Sequence, residues 1–139
     1  MEKSFYIDSN IFIFAYSEDK ENGVVCRKIL DLIIENKITA FTSTLTFDEI
    51  FNKIMRLKDK QTALIVSDLF LNLNNLRFIE VDLNIVSSSL FLLKKYNLGL
   101  RDAIHLACAF SKDLKNIITN DKDFDKIEEI KRHDIKEFR

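Results

Sequence analysis

Asp8, Glu49, Asp102 and Asp121 are the residues whose type and spacing could do chemistry together. Asp8 follows the short apolar run Ser4-Phe5-Tyr6-Ile7 directly, and Asp121 comes one residue beyond Asn116-Ile117-Ile118-Thr119. Glu49 lies within two helical turns of the end of Thr39-Ala40-Phe41-Thr42, and Asp102 opens the apolar stretch Ala103 to Phe110. Each has an ordinary structural explanation. Asp8 suits the N-cap of a following helix. Thr46 and Glu49 have capping-box spacing, and Lys53 stands four residues on as a helical ion-pair partner. Asp102 suits the positive end of a helix dipole, and Asp121 and Asp123 suit a polar turn.

Taken together, the four acids point elsewhere. In open parallel sheets, ligands bind beyond the carboxyl ends of the strands, and that is where these acids fall. Carboxylates gathered there repel one another by roughly 4 kcal/mol per pair at about 4 Å and an effective dielectric of about 20. Such a cluster persists by holding a proton or a cation. Oxygen donors without a His or Cys partner suit Mg²⁺ or Mn²⁺ rather than zinc.

The elements that must position these acids can be read from periodicity. Ser4–Ile7, Thr39–Thr42, Arg77–Val81 and Asn116–Thr119 read as short strands, and residues 128–131 read as a possible fifth. Helices are expected over 11–16, 24–35, from Thr44 or Thr46 to 57, and over 60–73, 84–96 and 102–112. The segment from Ala103 to Phe110 is apolar nearly all round, as expected of a helix covered on both sides. Strands alternating with helices predict an α/β fold with a parallel sheet. His105, one turn after Asp102, is expected to be a neutral core histidine bonded to backbone.

The chain has 139 residues, 47% of them hydrophobic, which is enough for one domain with a sizeable core, spanning residues 1–139. Its 21 basic and 22 acidic residues leave a net charge of −1, so no global basic field draws in phosphate. Any contact with nucleic acid must come from local arrangement. Lys53, Arg56, Arg101 and Lys122 flank the acids in sequence and are the candidates for it. Cys26 and Cys108 form no metal-type pair and lack a basic neighbourhood, so they read as core residues in a reducing, cytoplasmic setting. The start MEKSFYIDSN lacks the apolar run of a signal peptide, and no stretch is long enough to span a membrane. Two distant glycines allow neither a P-loop nor a dinucleotide fingerprint. Asn10, two residues after Asp8, stands where aspartyl-phosphate enzymes usually carry a second Asp.

Four segments carry a family resemblance. Ile7-Asp8-Ser9-Asn10 resembles the opening motif of PIN domains, as found in VapC-type toxins and stand-alone relatives, and Leu45-Thr46-Phe47-Asp48-Glu49-Ile50 resembles the second. Leu100-Arg101-Asp102-Ala103-Ile104-His105-Leu106-Ala107 is similar to the third, and Ile118-Thr119-Asn120-Asp121-Lys122-Asp123-Phe124 to the last. Arg101 stands where many relatives carry a small polar residue. The resemblance implies a three-layer α/β/α sandwich with a short central parallel sheet, and a metal-dependent ribonuclease. It implies that Asp8, Asp102 and Asp121 hold Mg²⁺ or Mn²⁺, with Asp123 in reserve. Glu49 would position water or serve a second ion, while Asn10 and Thr119 orient these groups.

The implied function is the toxin of a toxin–antitoxin pair, with a protein antitoxin, an RNA substrate and a homodimeric assembly. The alternatives are a stand-alone RNA-processing nuclease and a catalytically silent module that binds RNA or protein. Retention of every expected acid speaks against the silent module.

Overall fold

The computed structural model describes residues 3–139; Met1 and Glu2, part of the expected domain and of the N-terminal reading, lie outside the described residues. The strands are β1 (Ser4–Ile7), β2 (Thr39–Ser43), β3 (Leu76–Ile79), β4 (Asn116–Ile118) and β5 (Lys131–His133). The helices are α1 (Ser9–Ser17), α2 (Glu21–Ile34), α3 (Thr44–Leu57), α4 (Lys60–Leu71), α5 (Leu83–Lys95) and α6 (Leu100–Ser111). Short 3-10 turns follow β4 at Lys122–Lys126 and β5 at Ile135–Phe138.

Aspartates start several of these helices. The carboxylates of Asp8, Asp59 and Asp82 accept from backbone N–H groups in the first turns of α1, α4 and α5. With so few glycines, the left-handed positions are taken by Asn36, Asn75 and Asp113, at φ of 57°, 69° and 54°. Asn and Asp tolerate that region better than other side chains with a Cβ. Gly23 serves a different need. A Cβ there would lie 1.7 Å from the Glu18 carbonyl oxygen, so the α1–α2 corner closes only with glycine.

All strands run parallel, in the order β3-β2-β1-β4-β5. Side chains alternate across the sheet and feed two cores. Phe5, Ile7, Ala40, Leu76 and Ile118 point to one face, packing with Phe12, Ile29, Ile50 and Phe70 from α1 to α4. Tyr6, Ile79 and Ile117 point to the other, packing with Leu92 of α5 and Leu106 of α6. The result is the expected three-layer α/β/α sandwich.

The fifth strand lies three residues beyond its expected place. Its register is set by β4, with Asn116 opposite Lys131 and Ile118 opposite His133, while Ile127 and Ile130 are buried as packing residues ahead of it. Strand order reverses between β1 and β4: β1 leads outward to β2 and β3, and β4 leads outward to β5 on the other side. The crevice of such a sheet opens at that reversal, beyond the carboxyl ends of β1 and β4.

Candidate active site

Asp8 and Asp121 are both delivered to that crevice by neighbouring strands. The Asp8 N–H donates to the Ile118 carbonyl at 3.1 Å, extending the β1–β4 ladder one residue past β1. The Asp8 side chain then divides its work. Oδ1 accepts from the Ser9 N–H at 2.7 Å as the N-cap of α1, and Oδ2 accepts from the Thr119 hydroxyl at 2.7 Å. The ordinary capping explanation therefore holds, but it occupies only one oxygen. Thr119 is fully buried, and its Oγ1 also accepts from Asn10 Nδ2 at 3.2 Å and from the Asp121 N–H at 3.0 Å. One hydroxyl thus fixes Asp8 and the backbone of Asp121 relative to each other. Asn10 also donates to Asp8 Oδ2, at 3.4 Å, while its own Oδ1 is buried without a partner.

Asp102 reaches the crevice from the first turn of α6. Oxygens of Asp102, Asp121 and Asp123 lie within 4.8 Å of one another. Burial pushes the Asp102 carboxyl up to about 7, with a hydrogen bond to Asp121 and repulsion from Asp121 and Asp8 adding to it. Asp123 is exposed, and its N–H donates to Asp121 Oδ1 at 2.9 Å, capping the 3-10 turn.

Glu49 arrives from the middle of α3, and the local reason differs from the capping box read in the sequence. The helix starts at Thr44, and Thr46 Oγ1 pairs with Thr42 Oγ1 at 2.7 Å instead of reaching back along the helix. Thr42 in turn donates to the Ile7 carbonyl at 2.9 Å, tying α3 to the end of β1. The Glu49 carboxylate takes His105 rather than Lys53, at 2.5 Å from Nε2. The expectation of a backbone-bonded His105 is therefore corrected. The ring is fully buried, its Nδ1 lies 2.6 Å from the Tyr6 hydroxyl, and its Nε2 also lies 3.6 Å from Asp8 Oδ1. Burial disfavours the imidazolium, but the Glu49 hydrogen bond and the charges of Asp8, Glu49 and Asp102 outweigh it, leaving the His105 pKa raised. Spacing did carry a signal: Asp102 and His105, three apart, share one face of α6.

Arg132 is a residue the sequence reading passed over. Its guanidinium donates to the Thr119 carbonyl at 3.1 Å, to Asp134 at 3.0 Å and to both Asp125 oxygens, at 2.7 and 3.3 Å. This clamp holds the segment carrying Asp121 against β5. No local motif announces it, because the partners converge only through the β4–β5 pairing.

The basic candidates are partly gathered. Lys53, Arg56 and Arg101 line a cleft of about 390 Å³ together with Ser9, Asn52 and Glu49. Lys122 opens the 3-10 turn next to Asp121, outside that cleft. Cys26 and Cys108 are buried and free, and burial pushes their thiols up to about 12 and about 11, so both stay protonated and unreactive. Among the described residues, no helix is long and apolar enough to cross a membrane.

The PIN domain family profile matches residues 5–130. The chain belongs to the PIN domain family. The fold agrees with solved structures across nearly all of its length. The VapBC2 structure from Rickettsia felis, bound to a DNA fragment from its promoter, superposes with a TM-score of 0.74 at 18% identity. That match covers 94% of this chain and 98% of the other. VapC20 from Mycobacterium tuberculosis, a toxin that cleaves the sarcin-ricin loop, gives 0.74 at 14% identity, covering 89% and 95%. DNA-bound VapBC from Salmonella typhimurium gives 0.73 at 20% identity, covering 97% and 99%. At these identities the likeness is one of fold. No curated protein sequence matches the chain.

Proposed function

We propose that this PIN domain is a metal-dependent endoribonuclease, the toxin of a toxin–antitoxin pair. The observation that carries the reading is the gathering of Asp102 and Asp121 near Asp8 at the strand-order reversal, where burial, then the neighbouring Asp121 and Asp8, push the Asp102 carboxyl up to about 7. A divalent cation relieves that repulsion. The donor set fits Mg²⁺ or Mn²⁺, because Asp102, Asp121 and Asp123 bring only carboxylate oxygens within 4.8 Å of one another, with the Asp8 charge close enough to Asp102 to act on it.

Asp8, Asp102 and Asp121 would hold the ion, with Asp123 at the exposed edge. The chemistry such an ion supplies is neutralisation of phosphate charge and acidification of water. The chain's own groups do the rest. Thr119 and Asn10 fix the Asp8 carboxylate, and Thr119 also fixes the backbone that presents Asp121. Glu49 faces the cleft beside the acids and would orient the attacking water and accept its proton. Lys53, Arg56 and Arg101 on the cleft wall, with Lys122 next to Asp121 at the start of the 3-10 turn, would hold the RNA backbone.

The antitoxin partner is supported by solved neighbours that are themselves toxin–antitoxin complexes. Homodimer formation is supported by the outer surface of α2 and α4. There Val24, Ile34 and Leu69 are exposed along a groove between the two helices, and Leu64 and Ile65 are exposed on α4 as well. The test is incubation of the purified protein with mixed RNAs, with Mn²⁺ or Mg²⁺ and with chelator. Cleavage that needs the ion supports the reading, and intact RNA under every condition overturns it.

A further inference from the structure

His105 Nε2 faces two carboxylates, Glu49 at 2.5 Å and Asp8 at 3.6 Å. A carboxylate pair only accepts hydrogen bonds, so Nε2 must carry a proton. The other nitrogen is held by the Tyr6 hydroxyl at 2.6 Å, and Tyr6 is itself fully buried on β1. A protonated Nε2 cannot ligate a metal, since ligation needs its lone pair. The Asp8, Glu49 and His105 group is thus compact enough to resemble a cation site but is closed by the imidazole N–H. The group formed by Asp102, Asp121 and Asp123 contains no such donor.

We propose that His105 is a positioning residue: its Nε2–H fixes the Glu49 carboxylate beside Asp8, so that Glu49 serves the attacking water and not a second divalent ion. This rests on the nuclease reading above. Glu49 sits on α3 and Asp8 at the end of β1, and without the imidazole between them their charges would push the two elements apart. The Tyr6–His105 contact, made inside the core, transmits the rigidity of the sheet to a side chain at the cleft.

Four variants and two readouts test this. His105→Asn keeps a partner for Tyr6, but its shorter amide stops short of Glu49, whereas His105→Gln can place an N–H near the Nε2 position. Glu49→Gln and the Glu49→Gln/His105→Asn double variant complete a cycle. Mn²⁺ binding, read by titration calorimetry, is expected at one ion per chain in the wild type, with the affinity of both His105 variants and of Glu49→Gln within about threefold of it. At saturating Mn²⁺, His105→Asn and Glu49→Gln should each slow RNA cleavage by about a hundredfold. The double variant should be no slower than Glu49→Gln alone, and His105→Gln should recover most of the rate.

Two ions in the wild type would overturn the proposal. So would loss of Mn²⁺ affinity in His105→Asn, or a double variant in which the two effects multiply. If His105→Asn melts below the assay temperature, His105→Gln and the wild-type stoichiometry decide alone: a slow His105→Gln with normal Mn²⁺ binding rejects the proposal. A wild type that binds the ion yet leaves all RNA intact rejects the nuclease reading instead.

Discussion

Replacing Asp102 by Asn should stabilise the metal-free protein, and by an amount that depends on pH. The folded chain holds the Asp102 carboxyl at about 7 against an ordinary value of 3.8, because burial and the neighbouring Asp121 and Asp8 disfavour its charge. Taken at face value, that difference corresponds to about 4 kcal/mol of opposition to ionisation. The side chain is only half-buried, and solvent screening reduces the figure to about 1–2 kcal/mol. With an unfolding entropy of about 2.1 cal/mol/K per residue, this amounts to roughly 3–7 °C in melting temperature. The sign follows from linkage. The folded state binds a proton that the unfolded state releases, so stability falls as pH rises from about 4 through about 7. Asn carries no proton to lose, and its amide can donate to Asp121 as the protonated acid does. Scanning calorimetry in chelator should show Asp102→Asn melting above wild type near pH 8, with the gap closing towards about pH 4. A variant that melts lower at the higher pH, or a gap independent of pH, would refute the reasoning.

Other expectations follow from the same geometry. Saturating Mn²⁺ should raise the wild-type melting temperature, by the equivalent of about 2.7 kcal/mol at one hundred times the dissociation constant. Asp8→Asn should respond much less, and equal shifts would place the ion elsewhere. Neutralising Arg101 and Lys122 together in the Asp8→Asn background should weaken RNA binding without sequence preference. The salt dependence should flatten by roughly 0.7 log unit per lost contact on single strands, and an unchanged slope would put the RNA on another face. Light scattering at micromolar protein should give the mass of a dimer, and Leu69→Asp in the α2–α4 groove should shift it towards monomer. A wild type that scatters as a monomer defeats that expectation.

The parallel sheet, its helices and the positions of the four acids relative to strand ends were legible because hydrophobic periodicity and strand-to-helix handovers are local features. Asp8 and Thr119 could be placed from the runs that precede them. The arrangement between acids could not. Glu49 looked like part of a capping box with Thr46, yet the Thr46 hydroxyl is taken by Thr42, a pairing set by how α3 leaves β2. His105 looked like a core histidine, and it is buried as expected, but both of its partners are side chains distant in sequence, Tyr6 and Glu49. Arg132 gave no signal at all, because Asp125, Asp134 and the Thr119 carbonyl meet only when β5 pairs with β4. β5 itself was misplaced, since a three-residue strand takes its register from its neighbour more than from its own pattern.

The measurement that bears most directly on the central claim compares RNA cleavage by the wild type, Asp8→Asn and Asp102→Asn at saturating Mn²⁺, with circular dichroism on each preparation. Asn preserves the N-cap at position 8 and the volume at position 102, so the fold should be unchanged. The account predicts matching dichroism spectra, cleavage by the wild type, and at least about a hundredfold loss in both variants. Full cleavage by both variants would contradict it, because the RNA would then be cut without the Asp8 and Asp102 carboxylates.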